Sequence, residues 1–132
     1  MEVDEQAWKQ ISTKLKDPEA LKVLREVVNH VIERLKSRID EIRSSMEKIS
    51  FLSKGSVFLT INVGRTNLRI YFEPISGALF SKDEKFAVDK VSFWETSFQK
   101  SSGKYRAITV WVSKGEHLPG IDMLIDRIPT SR

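Results

Sequence analysis

The sequence predicts an α+β domain, with N-terminal helices on an antiparallel sheet of about four strands and a short C-terminal helix. Three observations predict it. Apolar residues recur at helical spacing through residues 1–55, strict alternation takes over from Ser56, and 132 residues suffice for one hydrophobic core but not two. The expectation is a single domain over 1–132, helical over 1–55 and mainly sheet over 56–132. With 40% hydrophobic and 30% charged residues, the chain has the material of a folded protein.

Val3, Ala7, Trp8, Ile11 and Leu15 trace a first short helix over 3–16, with Trp8 as its packing anchor. Asp17 before Pro18 suits an N-cap and first helical residue. From there Leu21, Leu24, Val28, Val31, Leu35, Ile39, Ile42, Met46 and Ile49 recur in steps of three and four. No Gly or Pro interrupts Glu19 to Lys54, so a helix of roughly 30 residues, about 45 Å, is allowed. Such a helix either projects and pairs with another chain or breaks near Lys36-Ser37-Arg38 and folds back. In the first case Leu35, Ile39, Ile42, Met46 and Ile49 form a coiled-coil seam for self-association, giving a homo-oligomer.

In the second half, Val57, Leu59, Ile61 and Val63 alternate with Phe58, Thr60 and Asn62. After Gly64-Arg65-Thr66-Asn67, Leu68, Ile70 and Phe72 alternate with Arg69, Tyr71 and Glu73, which reads as an antiparallel hairpin. Ala78-Leu79-Phe80 offers a third strand, and Phe86 to Phe98 fits both helix and strand, leaning to strand. Tyr105 to Ser113 reads as a strand with Ile108, Val110 and Val112 on one side and Tyr105, Thr109 and Trp111 on the other. From Gly120, Ile121, Leu124, Ile125 and Ile128 trace a closing helix that ends before Pro129.

The composition excludes several function classes. Without Cys there is no disulfide framework, no cysteine zinc site and no thiol nucleophile. The acidic start Met-Glu-Val-Asp-Glu and the lack of a run of about 18 apolar residues predict a soluble, cytoplasmic protein with no membrane contact. His30 and His117 stand at no ligand or triad spacing and take packing or solvated roles, and neither a G-x-S-x-G elbow nor a phosphate loop occurs. Glu73 with Asp83-Glu84-Lys85 shares the acid and (D/E)-x-K order of metal-dependent nucleases, but Ser81 to Lys85 reads better as a solvated turn. No catalytic residue, cofactor or metal is expected.

Charge favours an anionic partner. The net charge is +4, and residues 56–132 carry 11 Lys/Arg against 8 Asp/Glu, while residues 1–55 carry 11 against 10. Between Glu95 and Glu116 no acid occurs, yet Lys100, Lys104, Arg106 and Lys114 do. Eleven of the twelve aromatics lie at or after Phe51, and several fall opposite the aliphatic stripes. With the helices on the aliphatic face, Phe58, Tyr71, Tyr105 and Trp111 line the other face with Arg69, while Arg65, Lys104, Arg106 and Lys114 lie at strand ends. Rings among cations form a platform on which unpaired bases stack while phosphates are neutralised. The same residues also suit a half-buried second face or a protein contact, because Tyr and Trp favour strands.

In this arrangement of helices before an aromatic, basic sheet, with few Asn and Gln and abundant Lys and Glu, the chain resembles the ThermoDBP and ThermoDBP-related group of archaeal single-stranded DNA-binding proteins. The resemblance is one of architecture. It implies a thermophilic, archaeal setting, single-strand binding on a sheet, helix-mediated self-association and no catalysis. It carries no residue over by motif, so the candidates Phe58, Arg65, Arg69, Tyr71, Lys104, Tyr105, Arg106, Trp111 and Lys114 come from strand parity and charge. The expected function is single-stranded nucleic-acid binding, with a protein-interaction module as the alternative and a nuclease a distant third.

Overall fold

The computed structural model describes residues Met1–Ser131 and is α+β. Helices α1 (Glu5–Lys14) and α2 (Pro18–Leu35) are followed by β1 (Glu41–Ser44), β2 (Lys48–Ser53), β3 (Ser56–Val63) and β4 (Leu68–Phe72). Then come β5 (Lys90–Phe93), β6 (Phe98–Gln99), β7 (Lys104–Tyr105), β8 (Ile108–Val112) and α3 (Leu118–Ile125). Six strands form one antiparallel sheet in the order β1-β2-β3-β4-β8-β5, two more than expected, while β6 and β7 pair separately. The core lies between one face of the sheet and the helices, joining Ile11, Leu24, Val31, Leu124 and Ile125 to Phe51, Ile61, Ile70 and Val110.

Local chemistry sets the helix starts. The Asp4 carboxylate accepts from the Gln6 N–H at 3.1 Å, and Asp17 accepts from the Glu19 N–H at 2.9 Å, with Pro18 supplying the first helical φ. Trp8 is half-buried, with the Arg25 guanidinium 4.3 Å from its ring centroid. The second helix does not continue to Ile49. It ends at Leu35, at the break the sequence allowed near Lys36-Ser37-Arg38, and residues 41–53 form a β-hairpin instead of a helix.

The predicted helical seam is therefore not formed. Leu35, Ile39 and Ile49 are buried in the chain's own core, Ile42 packs against it from β1, and Met46 is exposed in the β1–β2 turn. The spacing misleads because Ile42, Ile49 and Phe51 also share a sheet face once a turn separates them. Ile42 pairs with Phe51, and the Ser45 N–H donates to the Lys48 carbonyl at 2.9 Å. Lys54 and Gly55, with φ of 50° and 80°, make the two-residue turn from β2 to β3, where positive φ suits Gly.

A β-bulge alters the parity of β3. Phe51 pairs with Leu59 but Leu52 pairs with Val57, leaving Phe58 as the extra residue. Phe58 turns into the core and is fully buried, whereas Val57 faces away from the core, the reverse of the alternation expected for this pair. Phe58 is thus not displayed on the face expected for it.

Later elements differ in detail. Ala78-Leu79-Phe80 is no strand, with only Phe80 bridging to Tyr105. The segment 86–98 divides into β5, a 3-10 turn at Glu95–Ser97 and the start of β6. The expected strand from Tyr105 is interrupted at Arg106-Ala107, so Tyr105 belongs to the small hairpin. There it is buried, its ring 5.1 Å from Phe93 and 5.0 Å from Phe98 between centroids. Tyr105 is therefore also removed from the predicted face. The third helix begins at Leu118, and a Cβ at its Gly120 would stand 3.1 Å from the Ala87 carbonyl oxygen, so a larger residue there would press the Ala87 backbone away by a few tenths of an ångström.

Arg38 ties these parts together. It is 5% exposed, and its Nη1 donates to the carbonyls of Ser76 (2.7 Å) and Pro129 (3.0 Å), while Nη2 donates to Ile75 (2.6 Å). Its guanidinium also covers the Phe58 ring at 4.8 Å. Arg38→Ala leaves these carbonyls without their donor, and the expected loss is about 3 kcal/mol, read as a lower urea midpoint at unchanged m.

Candidate nucleic-acid interface

Because antiparallel partners share a sheet face, the register fixes what the helix-free face displays. One row crosses five strands as Lys48, Asn62, Arg69, Trp111 and Lys90, each residue directly opposite the next. At about 4.8 Å per strand, the row spans roughly 19 Å. The adjacent row reads Arg43, Ser50, Thr60, Tyr71, Thr109 and Ser92, a line of hydroxyls around one ring with a cation at its edge.

Trp94 completes this surface. Two residues beyond Ser92, its indole N–H donates to Thr109 Oγ1 at 2.8 Å, and its ring meets Tyr71 edge-on at 6.3 Å. Tyr71, Trp94 and Trp111 are half-buried, and Thr60 and Thr109 lie low between the larger side chains. The Lys90 ammonium lies 4.8 Å from the Trp111 ring centroid, so one cation already marks the ring as a cation-accepting surface.

Charge on this face is one-sided. Lys48, Arg69 and Lys90 are exposed, and among the described residues no ion pair engages them. The acids are Glu41, which pairs with Arg43 at 2.8 Å, and Glu73 just past β4. Burial pushes the Glu73 carboxyl above its ordinary value. On the opposite side, the outer surface of the helices holds a groove of about 540 Å³ lined by Glu2, Glu26, Glu33 and Asp122.

Of the nine binding residues expected from sequence, Arg69, Tyr71 and Trp111 come together here. Arg65 lies in the β3–β4 turn and Lys114 just after β8, both exposed at the Leu68–Val112 end of the sheet. Lys104 and Arg106 are exposed but lie beyond the opposite, Phe72–Ile108 end, on or beside the small hairpin, and do not join the row. Phe58 and Tyr105 are buried, as described above. Lys48, Lys90 and Trp94 were missed, although alternation of Lys90, Ser92 and Trp94 was a usable signal once that run is a strand.

The remaining motifs are engaged structurally. His117 Nδ1 accepts from the N–H groups of Ser113 and Lys114, both at 3.1 Å, and His30 lies 2.7 Å from Asp126. Glu84 forms a two-pronged contact with Arg127, which holds its carboxyl below the usual value. Among the described residues, no three His, Asp or Glu side chains lie close enough to hold a metal ion, so the nuclease-like carboxylates are not assembled into such a group. No helix among them is long and apolar enough to cross a membrane.

Compared with known proteins, the chain matches no protein family, no curated protein and no solved structure. The site's chemistry must therefore be read from its own residues.

The raised Glu73 pKa has a definite sign. The folded state holds this proton more tightly than the unfolded chain, so the group's contribution to stability falls as pH rises through its folded value. Glu73→Gln is expected to melt higher than the parent at neutral pH, and the gain should vanish once the pH lies below the ordinary carboxylate range. Thermal unfolding at several pH values checks this, and a gain that persists at acid pH would contradict it.

Proposed function

We propose that this domain binds single-stranded nucleic acid on the helix-free sheet face and acts by binding, not catalysis. The observation that carries this reading is the register-aligned row Lys48-Asn62-Arg69-Trp111-Lys90, whose cations meet no carboxylate among the described residues and are flanked by the rings of Tyr71 and Trp94. Cations at both ends and the centre neutralise successive phosphates, and rings beside them offer faces to unpaired bases. A duplex hides those base faces, so single strands are preferred. A track of roughly 19 Å suits a short run of the order of four nucleotides. The resemblance to the ThermoDBP group belongs to the same proposal, whereas self-association through a helical seam does not, because that seam is absent.

Fluorescence anisotropy with labelled single-stranded and duplex DNA and RNA at several salt concentrations tests this. Three cation–phosphate contacts predict a log–log salt slope of about −2 for a single strand, so raising salt from 50 to 200 mM weakens binding roughly 20-fold. Trp111→Ala is expected to weaken binding about tenfold through lost stacking. Arg69→Gln is expected to flatten the slope by about 0.7. Absence of binding at micromolar protein would instead favour a protein contact on the same face.

A further inference from the structure

The row of cations ends at Lys48, and there the sheet surface is not flat. A pocket of about 310 Å³ opens between the β1–β2 turn and the start of β3, lined by Arg43, Ser44, Ser45, Lys48, Ser50 and Val57. We propose that this pocket is a phosphomonoester site which receives the terminal phosphate of a nucleic-acid strand, with the attached sugar against Val57. The proposal rests on the strand-binding reading for the identity of the ligand, but the pocket's chemistry is independent of it.

The lining is rich in donors. The Arg43 guanidinium uses Nε and Nη2 on Glu41, at 2.8 and 3.4 Å, and among the described residues no hydrogen bond engages Nη1. The Lys48 ammonium has no ion-pair partner among them. Ser45 Oγ accepts from the backbone N–H groups of Glu47 (3.2 Å) and Lys48 (3.3 Å). With both lone-pair directions occupied, its hydroxyl hydrogen is left to donate. Ser50 shares one hydrogen with Thr60 across 3.4 Å, which leaves the pair a second hydrogen to offer.

Glu41 already holds one side of the Arg43 guanidinium, so the pocket offers Arg43 Nη1, the Lys48 ammonium and the hydroxyl hydrogens, a donor set that suits the three terminal oxygens of a phosphomonoester better than the two of a phosphodiester. Position makes the same choice. β1 is the edge strand, so a strand laid along the row from Lys90 to Lys48 runs out of sheet at this pocket. The apolar wall is a consequence of the bulge. Uninterrupted alternation would place the Phe58 ring on this face, whereas the bulge turns that ring inward and sets the smaller Val57 beside Arg43 and Ser50.

The test uses one thymidylate octamer in three forms, with a 5′-phosphate, a 3′-phosphate or hydroxyls at both ends. One of the two phosphorylated forms is expected to bind about five- to tenfold tighter than the hydroxyl form. In Arg43→Gln the ratio between the phosphorylated and hydroxyl forms should fall below twofold, whatever uniform weakening of all three octamers the loss of one cation brings. A second arm follows the backbone amide resonances of residues 44–50 during titration with thymidine monophosphate, inorganic phosphate and thymidine. Saturating shifts with both phosphates, absent with thymidine and lost in Arg43→Gln, support the pocket even if no octamer binds, a result that would remove only the strand-binding reading. Octamers that bind equally in all three forms, with no saturating shift from either phosphate, would overturn the pocket and leave the strand-binding reading intact.

Discussion

One-sided burial governs this molecule. Three helices cover a single face of a six-stranded antiparallel sheet, so each strand must send alternate residues into the core and the rest away from it. Ile61, Ile70, Val91 and Val110 form one cross-strand line on the covered side. Their neighbours Asn62, Arg69, Trp111 and Lys90 are carried to the other side in the same register. Solubility explains why that outer row is polar. It does not by itself explain three cations in line with a tryptophan, none with an ion pair among the described residues, beside two further rings held edge to face.

The sheet was legible where alternation was strict and unbroken. Leu68 to Phe72 and Ile108 to Val112 could be oriented from sequence, and with them Arg69, Tyr71 and Trp111. Phe58 was misplaced because a bulge is a property of the pairing with Phe51 and Leu52, not of the bulged strand's own pattern. Ile39, Ile42 and Ile49 were misplaced for a related reason, since steps of three and seven satisfy a helix and also a hairpin with a short turn. The pair Ser44-Ser45 ahead of Met46 was the local turn signal. What ends the helix is tertiary: Arg38 is drawn to carbonyls at residues 75, 76 and 129, far away in sequence. Lys90 shares the parity of Ser92 and Trp94, but its place in the row, like that of Lys48, depends on which strands are neighbours, and that order is not written in any one strand's pattern.

Cations are gathered in one place rather than spread evenly. The sheet presents Lys48, Arg69 and Lys90 in one row, while the helices mix Glu2, Glu26 and Glu33 with the exposed Lys9, Lys22 and Arg25. The small net charge of +4 does not reveal this placement, because it sums over the whole surface.

The central claim, that the helix-free face and no other meets the strand, is tested most directly by the three indole N–H resonances during titration with an oligothymidylate. Trp94 and Trp111 lie on the sheet face, and Trp8 lies on the first helix beneath Arg25. The account predicts saturating shifts for Trp94 and Trp111 with Trp8 unmoved. Shifts at Trp8 with the other two unchanged would contradict it, as would three unchanged indoles in the presence of a bound strand.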